Sequence, residues 1–340
     1  QRKIIKQIMK KLTLSLFVLF LSIVSAIAQK EFTPSGNPFI KVFSNYHYGY
    51  DGTTGFEVNR AYLGYNYNMS ENWSGKVTLD VGKPSVEIGD SLSGSTSLEY
   101  TAFLKIAALT YTSGKFSVDF GLVGTKNFKA QETVWGHRYI MKSFQDEHKY
   151  ASSADLGVIL TYEFTDFISV DLSILNGEGH KKIQVDNRFR TGLGITIEPV
   201  DGFIIREYAD YLPGDNDPQI SSATFIGYKK DKLATGVEYN IQLNNKTNTD
   251  QDLNGISVYA SYDINKKYQV FGRYDMLSSN TITGTTDPWN TAKNGSAITT
   301  GLQYTPIEYV KIALNYQGWI PEMAGEDIAH FAFLNVETAF

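Results

Sequence analysis

Five cations and three carboxylates crowd the stretch from Gly124 to Ala154: Lys126, Lys129, Arg138, Lys142 and Lys149 against Glu132, Asp146 and Glu147, with His137 and His148 among them. If such side chains line a narrow watery passage, its low-dielectric walls focus their field and concentrate anions. The other chemistry they invite is acid–base or nucleophilic catalysis, which needs a histidine beside a nucleophile or an acid. The chain has 5 histidines. His137, His148 and His180 fall in segments without a recognisable nucleophile motif, and His47 and His330 sit on opposite parities of their segments, so no catalytic residue is assigned. Asp250-Gln251-Asp252-Leu253-Asn254-Gly255 opens like a calcium loop, but Ser261 stands where the twelfth position needs a bidentate glutamate. It reads as an ordinary polar loop, as do Asp215 and Asp217, so no metal site is assigned and no cofactor is expected.

The elements that must position these residues are about sixteen segments of period-two alternation, each near the length that crosses a bilayer when tilted. In Trp73–Val81, for example, Trp73, Gly75, Val77, Leu79 and Val81 alternate with Ser74, Lys76, Thr78 and Asp80. The first segment places Ile40, Val42, Tyr46 and Tyr48 against Lys41, Asn45 and His47, with Phe43 and Ser44 breaking the pattern. Connections alternate short and long. The short ones centre on 68–72, 112–114, 164–166, 199–202, 229–232, 265–267 and 306–308. The long ones are 51–55, 83–97, 124–154, 177–187, 212–218, 244–254, 278–295 and 318–326. This asymmetry predicts an all-β fold: a transmembrane antiparallel up-and-down β-barrel with short periplasmic turns and long external loops. Tyr65, Tyr67, Trp73, Phe116, Tyr162, Phe167, Phe203, Tyr228, Tyr262, Tyr268 and Tyr304 flank the short turns, as an interfacial girdle requires. Phe340 ends the last segment on the same side.

Residues 1–28 combine a basic start, an apolar run from Leu12 to Val24 and Ala26-Ile27-Ala28, the pattern of a cleaved signal peptide, with 1–8 as an upstream extension of the reading frame. A short segment, 29–37, would then precede a barrel over 38–340 in the outer membrane of a Gram-negative bacterium. Without residues 1–28 the chain holds 26 Lys+Arg against 36 Asp+Glu, an acidic balance that argues against nucleic acid as a partner. The chain has no cysteine, so neither disulfides nor thiolate metal sites can hold it together.

Parity turns Lys41, Arg60, Lys76, Lys115, Arg188, Arg190, Arg206, Arg273 and Lys311 inward, together with Asp80, Asp119, Asp155, Asp171, Glu198, Asp210, Glu238, Asp263 and Asp275. These balance, which gives the wall no bulk selectivity. Arg60 and Arg273 stand mid-strand; a structural ion pair across the wall is their ordinary role, and contact with a solute the alternative.

Phe56-Glu57-Val58-Asn59-Arg60-Ala61-Tyr62-Leu63-Gly64-Tyr65, Ser153-Ala154-Asp155-Leu156-Gly157-Val158, Ile174-Leu175-Asn176-Gly177-Glu178-Gly179 and Phe271-Gly272-Arg273-Tyr274-Asp275 resemble segments of the phosphate-selective porin O/P family. The resemblance implies a sixteen-stranded, trimeric diffusion channel whose third external loop enters the lumen. Gly121-Leu122-Val123-Gly124-Thr125-Lys126-Asn127-Phe128 departs from the family's Gly-Gln-x-Lys-x-Pro-Phe stretch, so no phosphate site is carried over. The expectation is a porin passing small hydrophilic solutes, with anions favoured by the basic third loop. Its solute-binding candidates are Lys126, Lys129, His137, Arg138, Lys142, Lys149, Arg60 and Arg273, and its partners are solute, membrane lipid and two further copies. Two rivals remain, a barrel hydrolase and a structural or adhesive barrel with a closed lumen. About sixteen strands favour an aqueous passage over a filled interior.

Overall fold

In the computed structural model, residues 32–82 and 100–340 are described, and Ser35–Phe340 forms one compact unit. The leader reading and the whole connection 83–97 lie outside the described residues. Alternation yields sixteen antiparallel strands: β1 Ser35–Gly49, β2 Thr54–Asn68, β3 Trp73–Gly82, β4 Thr101–Ser113, β5 Phe116–Gly124, β6 Ala154–Glu163, β7 Ile168–Leu175 and β8 Arg190–Ile197. The circuit continues with β9 Phe203–Leu212, β10 Gln219–Lys230, β11 Leu233–Leu243, β12 Leu253–Asp263, β13 Tyr268–Ser279, β14 Gly295–Ile307, β15 Val310–Pro321 and β16 Ala329–Ala339. Each strand pairs with its sequence neighbours, and β1 pairs with β16, so the sheet closes without an edge. At the seam Ile40 and Phe340 exchange two backbone hydrogen bonds, at 2.6 and 2.9 Å.

The two faces of the wall follow from parity. On β10, Gln219, Ser221, Ala223 and Phe225 are buried toward the lumen, while Ile220 and Ile226 stand outside. Val77, Leu79, Leu172, Ile174, Leu193, Ile195, Val237, Val258, Leu302 and Leu314 are exposed at outward positions, an apolar belt of the kind that hydrocarbon requires. Glu207 interrupts that belt, and its carboxylate accepts from Ser222 Oγ at 3.0 Å and Thr224 Oγ1 at 2.6 Å. Aromatic pairs cluster at the short-turn end, among them Trp73 with Tyr111 and Tyr268 with Tyr304, with ring centroids 4.8 and 5.0 Å apart.

Two irregularities explain departures from strict alternation. The register shifts between Phe43 and Ser44, leaving Asn59 as an extra residue on β2, and again between Thr78 and Leu79, where Lys105 is the extra residue on β4. Three inward expectations are also corrected in position. Arg188 and Glu198 lie beyond the two ends of β8, and Lys115 lies in the β4–β5 turn. There, charges meet solvent and each other; Arg188 pairs with Asp215, and Lys115 Nζ is 3.8 Å from Asp166.

Candidate functional site

The connection between β5 and β6 does not stand over the barrel mouth but folds into the lumen. It leaves β5 beside Ser153, whose carbonyl accepts from Thr125 N–H at 3.2 Å, and forms two short helices, α1 (Lys129–Trp135) and α2 (Phe144–Glu147). Gly136 ends α1 in the left-handed region, at φ 69°, and its N–H donates to Glu132 O, a turn that a residue bearing Cβ would strain. Phe128, Val134, Trp135, Tyr139, Ile140, Phe144 and Tyr150 are all buried. A free loop would hide none of them. Val134, Trp135, Tyr139 and Ile140 pack on inward residues of the wall, namely Phe43, Tyr62, Phe225, Ala234, Tyr259, Phe271 and Ala313. Phe43, an imperfection in the alternation, is thus apolar because the loop covers it, with its ring 6.5 Å from that of Tyr139.

Polar wall groups complete the attachment. Tyr259 OH donates to Gln131 O at 3.0 Å, His137 Nε2 bonds Gln269 Oε1 at 2.8 Å and Tyr139 OH donates to Gln303 Oε1 at 2.8 Å. Higher up, Arg273 Nη1 donates to Lys142 O at 2.6 Å, Gln145 Nε2 to Asn240 Oδ1 at 2.8 Å and Gln242 Nε2 to Tyr150 O at 2.9 Å. These contacts run from the short-turn ends of β13 and β14 up to the top of β11. The loop therefore descends deeply and climbs back along one side of the lumen.

The eight expected site residues divide by role. Lys126 Nζ donates to Thr161 Oγ1 and so ties the loop to β6. Lys129 sits on Glu132, its own helix neighbour, at 2.8 Å. His137 is a wedge: Nδ1 bonds Trp135 O at 2.6 Å, and burial pushes its pKa down to about 4, so it is neutral near pH 7. Arg138 Nη1 joins Glu132 at 2.8 Å and Asp146 at 2.6 Å. Burial opposes its charge, but Tyr62, Asp146 and Glu132 outweigh that and raise its pKa above the ordinary guanidinium value. Lys142 is half-exposed beside Glu147, 3.7 Å away, and Lys149 is exposed with a left-handed backbone. Arg60 bonds Asp80 across the β2–β3 pair at 3.1 Å, the cross-wall ion pair anticipated for it. Arg273, wholly buried, is bidentate to Asp275 along its own strand at 2.8 and 2.6 Å and stacks over Trp135. Its pairing is within β13 rather than across the wall, and its reach is to the loop.

What gathers at the upper side of the loop is a cleft of about 250 Å³ lined by Arg60, Arg138, Lys142, Glu147, Asn59 and Gln317, with Phe43, Tyr139, Ile140 and Met141. Three further basic groups stand by it that parity and motif did not reveal. Lys105 Nζ lies 3.5 Å from Asp80 Oδ2 and 3.2 Å from Tyr62 OH; as the extra residue of a bulge it escapes an alternation count. His180 and Lys181 come from the β7–β8 connection, which also turns inward, and Lys181 Nζ sits 4.7 Å above the Phe103 ring. Burial, then the charge of Lys105, push the His180 pKa down to about 4; burial, then Arg60, lower that of Lys181. No periodicity marks a loop that folds back, so nothing in the sequence could have found these two. A second cleft of about 180 Å³ opens at the short-turn side, where Lys229, Lys232 and Lys311 meet Asp231 and Asp263.

The histidines bear on catalysis. His47 pairs in register with Phe333 and bonds Asn45 at 3.4 Å inside, whereas His330 bonds Tyr316 OH at 2.6 Å; they share no site. Ser152 Oγ does come within 3.4 Å of His180 Nδ1, and His180 Nε2 lies 3.9 Å from Asp80. That hydroxyl, however, donates to Ala154 O at 2.8 Å, and Asp80 already faces two cations, so the serine is not aligned for activation. In the calcium-like segment, Asp252 Oδ1 accepts Asn244 N–H at 2.9 Å and serves the loop itself.

No protein-family model matches the chain, and no curated protein matches it by sequence. Solved structures do. The outer membrane channel DcaP of Acinetobacter baumannii superposes with a TM-score of 0.66 at 12% identity, over 93% of this chain and 100% of that one. OprB of Pseudomonas putida gives 0.65 at 12%, over 90% and 94%, and OmpF of Salmonella typhi, solved with daunomycin, 0.64 at 15%, over 90% and 97%. The likeness is one of fold. It assigns no solute.

Proposed function

We propose that the protein is an outer-membrane porin of a Gram-negative bacterium, exported through a cleaved signal peptide, through which small hydrophilic solutes diffuse and anions pass preferentially. The observation that carries this reading is the inward fold of residues 125–153, which narrows a closed barrel and sets Arg60, Arg138 and Lys142 around a cleft with one carboxylate, Glu147. Such a constriction selects by width and by charge, because field lines concentrate where the wall is narrow and poorly polarisable. Assembly as a homotrimer belongs to the same proposal and rests on the family-like segments. Passage is tested by swelling of liposomes holding the purified protein in isosmotic sugars and amino acids of graded size. Swelling that falls off with solute size supports the channel; liposomes that swell no faster than empty ones contradict it.

A further inference from the structure

We propose that the upper cleft takes a small organic anion with an apolar body, an aromatic or branched aliphatic carboxylate, in preference to an inorganic anion. This rests on the channel reading above and narrows its solute. The cleft mixes two kinds of lining. Arg60, Arg138, Lys142 and Glu147 share it with Phe43, Ile140 and Met141, with Phe43 the register partner of Arg60 and with Ile140 and Met141 between Arg138 and Lys142. A hydrated inorganic ion gains nothing from the apolar part and loses water against it. A ring or branched chain would bury its carbon there while its carboxylate meets the cations.

The charged lining includes a guanidinium with an unused donor, which a small shift of Arg138 would bring to a ligand. Arg138 is nearly buried, its Nη1 serves both Glu132 and Asp146, and its Nη2 is buried with no hydrogen-bond partner. A buried guanidinium N–H without an acceptor is costly, and a carboxylate oxygen satisfies it with the geometry arginine favours. Beside it, Arg60 is oriented by Asp80 and by Tyr62 OH at 3.1 Å, and Lys142 swings from a half-exposed position. The volume of about 250 Å³ admits one such molecule.

Equilibrium dialysis of the detergent-solubilised full chain against radiolabelled benzoate, and separately against radiolabelled phosphate, tests this. Benzoate should be retained saturably, at a half-saturating concentration about tenfold below that for phosphate, the margin that burying part of one ring supplies. Lys142→Gln, which alters a half-exposed side chain and keeps the carbonyl that Arg273 holds, should weaken benzoate retention several-fold. Phosphate held as well as benzoate, or benzoate retention indifferent to Lys142→Gln, overturns the proposal. Conductance of the same preparation in potassium chloride reports the channel independently: steps without benzoate retention overturn the proposal alone. Benzoate retention without steps leaves the cleft's ligand class supported and sinks the porin reading.

Discussion

The inner wall has two arcs that sequence parity treats alike and the structure does not. Along β7–β9, Arg206 grips Asp171 at 2.7 and 3.0 Å and Arg190 grips Asp210 at 2.6 Å, so arginine and aspartate on the same few strands bond one another. Along β10–β16, inward polar groups instead reach off the wall: Tyr259, Gln269, Gln303, Asn240, Gln242, Arg273 and Asn335 all bond the 125–153 loop. The first arc is a self-sufficient wall. The second is a docking face, interleaved with Phe225, Tyr259 and Phe271, whose rings no water-filled wall would favour. Inward charge therefore has two uses, bracing the cylinder and holding what narrows it.

Removing the loop breaks the comparison most severely. With residues 127–150 replaced by a short Gly-Ser hairpin, the β7–β9 arc should keep the barrel closed while conductance steps roughly double or more, since width governs passage. An unchanged step size in single-channel recordings would mean the loop narrows nothing.

A matched pair of substitutions sharpens it next. Arg206→Gln and Arg273→Gln each leave a buried aspartate without its cation, at a cost of about 3–5 kcal/mol, and both should lower the thermal unfolding midpoint in detergent. Only Arg273→Gln should also raise conductance and its noise, because Arg273 holds Lys142 O as well as Asp275. Equal effects of the two on conductance would erase the distinction between the arcs.

Acid should loosen the docking face specifically. His137 has a folded pKa of about 4 against an ordinary 6.5, so below 6.5 the released loop binds a proton that the docked one does not. Its contribution to docking is fully present above pH 6.5 and declines as pH falls toward 4. Hydrogen exchange in residues 129–150, corrected for intrinsic rates, should rise over that window in the native chain. In His137→Gln this dependence should shrink, the remainder belonging to His148, whose burial also lowers its pKa.

The smallest effect is expected from Lys142→Gln. It removes one half-exposed cation, so anion preference should drop slightly at low salt and not measurably at 1 M, where the screening length is about 3 Å. A loss of preference as large at 1 M as at low salt would place Lys142 in a drier setting than the cleft.

Much of the cylinder was legible in the chain because a barrel repeats one physical rule: residues two apart share a face, and the short and long connections follow. The inward entry of 125–153 was legible as an expectation of the family-like segments, and its aromatic content agreed. The roles of its charges were not. Lys129, Arg138 and Lys142 look like free cations in a string of letters, but helical spacing and a turn bring each to Glu132, Asp146 or Glu147. His137 reads as a titrating group until its burial is known. Lys105 hides in a bulge, and Lys181 in a second connection that folds inward without periodicity. Alternation tells which way a side chain points and not what it meets.

The central claim is that residues 125–153 turn a sixteen-stranded barrel into a narrowed, anion-favouring channel. The most direct test is the reversal potential of the purified protein in a planar bilayer under a gradient of potassium chloride. The account predicts discrete conductance steps and a reversal potential of the sign set by chloride. Absence of steps, or a potential of the sign set by potassium, would contradict it.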